Sequence, residues 1–216
     1  MSKIEFIPLI EPATIKDKNS ENIPSGTRLN NAKEWDIYQK CEIEKSYINF
    51  PEPILSGIYQ YRLFDISLED IERVIKLHIG DTDINESISL FGGYAISLND
   101  TIELFPQCCG LLGEIEVWKK LLNEDFDEFY LTEGHPSPII TKSGNELVIY
   151  CKDEFEMFYP ARTKTEIRVD YKDAKTALLK LISELMDFSI NLNSISGKFK
   201  TNNLSDIMIW GDRNSR

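Results

Sequence analysis

The stretch "YKDAKTALLKLISELMDFSINL" constrains the fold of this chain more than any other. Ala174, Leu178, Leu181, Leu185, Phe188 and Leu192 recur at alternating spacings of four and three. That spacing paints an apolar stripe along one side of a helix, with lysines and acids on the other. The stripe is a core face, so the rest of the chain must supply something for it to cover. What surrounds it is mostly β-like. "GIYQYRLF", "SISLFGGYAISL", "TIELFP", "ELVIYCK" and "TEIRVDY" are rich in aromatic and β-branched residues or alternate in the manner of half-buried strands. Asn99-Asp100 predicts a hairpin turn, and "SGNE" a second tight turn. Gly92-Gly93 inside a run predicts a bulge or a close backbone approach.

Strands and helices here do not alternate as they do in a parallel doubly wound sheet. The predicted class is α+β, an antiparallel β-sheet with helices packed on one face. The 216 residues are read as a single domain, 1–216, with residues 1–45 as an irregular N-terminal arm around Pro24 and Gly26. "SLEDIERVIKLHI" predicts a second helix, with Ser67 as N-cap and Asp70 three residues on as a capping-box-like acid. His78 lies on its apolar side and reads as a satisfied boundary histidine. The apolar stretch Ile207 to Trp210 would dock as a last strand or short helix.

Several chemistries are set aside. Asp81, Asp83 and Asn85 open like a calcium loop, but Glu86 stands where glycine is needed and Gly92 where a bidentate Glu is needed. No phosphate-loop or dinucleotide motif surrounds the glycines, and no cofactor is predicted. A net charge of −12 disfavours nucleic acid and anionic membrane surfaces and suits a basic protein partner, although it also serves solubility. No apolar run approaches the roughly 18 residues of a membrane span. The N-terminus lacks the order of a signal peptide, so a cytoplasmic location is expected.

Cys41, Cys108, Cys109 and Cys151 should then be reduced. Without a CxxC, and with His78 and His135 in unrelated contexts, no metal site is predicted. The "FPQCCGLLGEIEVW" segment places Cys108 and Cys109 in a turn that leads from a strand into a helix marked by Leu111, Ile115, Trp118 and Leu122. A cysteine at a helix N-terminus has a lowered pKa. A thiol-dependent enzyme can therefore be written with Cys109 as nucleophile, His135 as base and Glu133 orienting the base. Packing is the favoured role, because cysteine is so often buried. Gln107 is expected to bond the turn backbone.

Two acidic clusters with interleaved phenylalanines complete the candidates. Glu124, Asp125, Asp127 and Glu128 form the first, and Asp153, Glu154 and Glu156 the second. They lack the spacing of glycoside-hydrolase carboxylates but suit an interface of aromatic anchors with an acidic rim.

The block "LFGGYAISLNDTIELFPQCCGLLGEIEVWKKLL" has a glycine-containing strand, a second strand ending in PQCCG, then a helix with an early acid and a tryptophan. It resembles immunity proteins of bacterial toxin systems, the SUKH-like group among them. The resemblance implies a non-enzymatic, acidic α+β protein that binds and neutralises a basic toxin domain, with no catalytic residues to carry over.

Overall fold

The computed structural model describes residues 3–15, 23–27, 30–161 and 163–211. In chain order the elements are β1 (Ile4–Ile10), α1 (Ala32–Ser46), β2 (Tyr61–Arg62), α2 (Leu68–Ile79), β3 (Gly92–Leu98), β4 (Thr101–Leu104), α3 (Ile115–Trp118), β5 (Glu128–Tyr130), β6 (Ile139–Ser143), β7 (Glu146–Tyr150), β8 (Glu166–Asp170), α4 (Tyr171–Asn193) and α5 (Leu204–Met208). The fold is α+β. Its strands form two antiparallel four-stranded sheets, ordered β2-β1-β3-β4 and β5-β6-β7-β8.

The predicted helix is α4. Asp170 caps it, its carboxylate accepting from the Asp173 N–H at 3.0 Å. Ala174, Leu178, Leu181, Leu185 and Leu192 are buried, while Phe188 is partly buried and meets Phe64. The helix packs on β1 of the first sheet and on β7 and β8 of the second. Its last turns hold the tail: the indole of Trp210 donates to Ser189 Oγ at 3.0 Å, and the tail itself is the short helix α5. Trp118 joins the two sheets. Its ring meets Phe6 of β1 edge-on at 5.1 Å and Phe129 of β5 at 5.6 Å.

The N-terminal residues differ from the expectation of an irregular arm. Residues Ile4–Ile10 form an inner strand of the first sheet, with Phe6, Ile7, Leu9 and Ile10 buried. Pro8 can sit there because β2 pairs only with Leu9 and Ile10, so at Pro8 the strand bonds to β3 alone. Residues Ala32–Ser46 are a helix with only Glu42, Ile43 and Ser46 buried. Residues 1–2, 16–22 and 28–29 of the expected arm lie outside the described residues.

Other local expectations hold. Asn99 and Asp100 both have positive φ, 49° and 64°, as a two-residue hairpin between β3 and β4 requires. Ser67 caps α2, accepting from the Asp70 N–H at 3.1 Å. Asp70 itself reaches out of the helix and accepts from the backbone of Ile48 and Asn49. His78 is a boundary residue. Its Nε2 lies 3.1 Å from the Ile88 carbonyl and its ring meets Phe91. Gly92 marks a close approach: at φ +142° a Cβ there would lie 2.0 Å from the Leu9 carbonyl oxygen.

Candidate functional site

The PQCCG segment is a tight turn. The Gly110 N–H returns to the Gln107 carbonyl at 3.2 Å, which leaves Cys108 and Cys109 as the central pair. Cys109 has φ +65°, in the left-handed region that a side chain enters at a cost of about 1–2 kcal/mol. Gln107 is buried and pins the turn. Its amide donates to the carbonyls of Phe105 and Tyr159 and accepts from the Tyr159 N–H at 2.8 Å. Gly110 is wedged against β3, whose Gly92 N–H donates to the Gly110 carbonyl; a Cβ on Gly110 would lie 2.5 Å from the Gly92 oxygen.

A second loop is fastened to this turn. The His135 N–H donates to the Cys108 carbonyl at 3.0 Å, an isolated antiparallel bridge. One residue earlier, the buried carboxylate of Glu114 accepts from the N–H groups of Glu133 and Gly134 at 3.2 and 3.1 Å. Burial pushes the Glu114 carboxyl above its ordinary value, against the pull of those two donors. A third loop, residues 151–160, supplies Glu156. Asp153 Oδ1 accepts from the N–H groups of Phe155 and Glu156, which sets Glu156 facing the histidine. Glu156 Oε2 lies 2.9 Å from His135 Nδ1.

Cys108, Cys109 and His135 thus converge. The two sulfurs are 3.4 Å apart, and the three potential donor atoms all lie within 4.8 Å of one another. The hydrogen bond with Glu156, then that with Cys109, raises the pKa of His135. The hydrogen bond with Cys109, then partial burial, raises that of Cys108. Cys151 stands apart, buried in the core with its thiol pushed up to about 12.

Four expectations are corrected here. Cys108 and Cys109 are exposed, so they do not pack the core. They do not sit at a helix N-terminus either. Gly110 and the extended Leu111 intervene before a 3₁₀ turn at Leu112–Glu114, and α3 is only four residues long. The carboxylate on His135 is that of Glu156, while Glu133 meets Glu114 only through its backbone. His135 is not remote from the cysteines, so the reasoning that set metal ligation aside does not hold for this group. A thiol, an imidazole and a carboxylate in series can move a proton off the sulfur. The same three donors can hold a cation.

The acidic clusters divide differently than expected. Glu124, Asp125, Asp127 and Glu128 are exposed, but Phe126 between them and Phe129 directly after them are core residues. Asp153, Glu154 and Glu156 are exposed, and here the apolar neighbours are too: Phe155 is 93% and Met157 79% accessible. Loop 151–160 begins directly after Tyr150. On β5, β6 and β7, Tyr130, Ile139 and Tyr150 are paired in register, so all three stand on one outer face of the second sheet, exposed. Glu166 completes that row on β8. The row leaves no mark in the sequence, because its members come from three strands and meet only through their register.

Comparison of the chain with known protein families, with curated proteins and with solved structures finds no match.

Proposed function

We propose that this chain is a non-enzymatic binding protein, an immunity or other inhibitory protein, that docks a basic protein partner on the outer face of the second sheet and loop 151–160. A bacterial toxin domain acting in the cytoplasm is the partner class the sequence resemblance suggests. The observations that carry the reading are the exposed row Tyr130, Ile139 and Tyr150 and, in the loop that follows Tyr150, the exposed Phe155 and Met157, with Glu128, Asp153, Glu154 and Glu156 exposed next to them in the chain, while Glu166 on the sheet is paired with Arg168. Large apolar side chains in water are the usual anchors of an interface, and tyrosine is enriched among them. The surrounding acids would steer a cationic surface to them, and a net charge of −12 extends the same field over the molecule. Glu124, Asp125 and Asp127 would add to it at longer range.

The test separates anchors from rim. A partner captured with the tagged protein is purified and titrated against variants. Phe155→Ala and Tyr130→Ala should each weaken binding by about tenfold or more, mainly through faster dissociation. Glu154→Lys should slow association, with an effect that fades as salt rises. Normal binding by both anchor variants would show that the partner uses another face.

The Cys109–His135–Glu156 series supports a second reading, a thiol-dependent enzyme with Cys109 as nucleophile. That reading requires Cys109 to react with iodoacetamide far faster than a free thiol near neutral pH, and to slow when His135 becomes alanine. Ordinary alkylation rates in the folded protein would remove it.

A further inference from the structure

We infer that Cys108, Cys109 and His135 form a binding site for a soft divalent cation of the zinc class, with Glu156 as the outer carboxylate that orients the histidine. Adjacent cysteines in extended backbone point to opposite sides. Here the left-handed backbone at Cys109 turns its sulfur back beside that of Cys108, at 3.4 Å. The two sulfurs of a tetrahedral zinc site, each about 2.3 Å from the metal, are about 3.8 Å apart. The pair therefore already has almost the spacing that two thiolates on one metal require. A disulfide between them would instead force adjacent residues into strained geometry.

The third donor is built in the manner of a metal-ligating histidine. Such a histidine gives its other ring nitrogen to a carboxylate, which fixes the ring and its tautomer. Glu156 takes Nδ1 at 2.9 Å, so Nε2 would be the nitrogen offered to the cation. All three donor atoms lie within 4.8 Å of one another, so a cation among them needs them to close by about an ångström. Two thiolates and one imidazole leave a fourth position open to solvent or to a ligand. On binding, each thiol releases its proton to water and the imidazole binds as its neutral form.

The support beneath these donors is hydrogen-bonded. Gln107 clamps the cysteine turn to loop 151–160, and Glu114 clamps the histidine loop through Glu133 and Gly134. Three separate loops are thereby held at one point by buried polar groups, while the donor side chains stay accessible. That is how a binding constellation is preorganised. The inference stands apart from the docking proposal: zinc can bind whether or not the outer sheet face meets a protein.

The test uses the full chain, reduced with a non-chelating phosphine. Zinc is titrated against a chromogenic chelator, and cobalt(II) serves as a spectroscopic probe. The expected result is one equivalent bound, with thiolate-to-cobalt charge-transfer absorption and the visible bands of a tetrahedral site. Cys108→Ser, Cys109→Ser and His135→Ala should each weaken zinc binding at least about tenfold, and Glu156→Gln by about 10–100-fold. The Cys41→Ser/Cys151→Ser double variant should bind as the unaltered protein does. Circular dichroism confirms that each variant folds, and the cobalt spectrum of the unaltered protein stands without any variant. Failure to compete with the chelator, or binding that survives His135→Ala unchanged, would overturn the inference.

Discussion

His78 and His135 carry the same imidazole into opposite surroundings. Burial lowers the pKa of His78, and the Glu156 carboxylate raises that of His135. NMR titration of the two ring signals should show one midpoint below the ordinary histidine value and one above it. Glu156→Gln should bring the upper midpoint back toward the ordinary value and leave the lower one in place. The consequences for stability have opposite signs. The favourable contribution of protonated His135 is present below the unfolded pKa and is lost as pH rises through the higher folded value. Neutral His78 favours the fold above its unfolded pKa, and that contribution is lost as pH falls through the lower folded value. Glu114 has the same sign as His135. Its folded pKa is raised, so it favours the fold least once pH has risen through that value. Glu114→Gln keeps an acceptor for Glu133 and Gly134 without the charge and should match or exceed the original stability at neutral pH. Glu114→Ala leaves those N–H groups without their acceptor and should cost about 2–3 kcal/mol by urea unfolding. At this scale the sequence offered Cys109 with His135 only as the alternative to a packing role, and it did not offer Glu156 at all. Contacts between loops have no periodicity to read, and Glu133, two residues from the histidine, was the nearer carboxylate in the chain.

Among the elements, α4 was legible because its stripe is unbroken over its length, and the β3–β4 hairpin because Asn99-Asp100 tolerates positive φ. The strand β1 and the helix α1 were not. Pro8 and flanking acids interrupt the apolar run of β1, and a proline inside a run argues against an inner strand. Only the short reach of β2 makes it tolerable. The helix α1 is mostly exposed, so it has no stripe to announce it. Gly92 shows how tightly β1, β3 and the cysteine turn are stacked. Gly92→Ala would place a methyl group against the Leu9 carbonyl at a backbone angle that suits only glycine. It should lose about 3 kcal/mol or more, and metal binding should weaken with it because Gly92 also holds Gly110.

Across the whole molecule, α4 and Trp118 contact both sheets. Among the described residues the larger apolar core runs from Phe6 and Ile96 of the first sheet to Ile140, Ile149 and Val169 of the second, with a smaller cluster of Ile7, Leu9, Ile58, Ala95 and Phe105. Thermal unfolding followed by tryptophan fluorescence and by far-ultraviolet circular dichroism should therefore give coincident transitions. Trp118→Ala should cost about 3–5 kcal/mol, and separate transitions in that variant would mark Trp118 as the joint. The α+β class was readable from the mixture of patterns, but the division into two sheets was not, since pairing between strands distant in sequence leaves no local mark.

The outer face of the second sheet is where these scales meet. It backs onto the shared core, is apolar through Tyr130, Ile139 and Tyr150, and is continued by loop 151–160 to Glu156, which meets His135. The measurement that tests this most directly is the affinity of a captured partner for the unaltered protein and for the Tyr130→Ala/Phe155→Ala double variant, at two salt concentrations. The account predicts a basic partner whose binding falls with salt and drops at least about tenfold in the folded double variant. Equal affinity for both proteins, or a partner indifferent to salt, would contradict it.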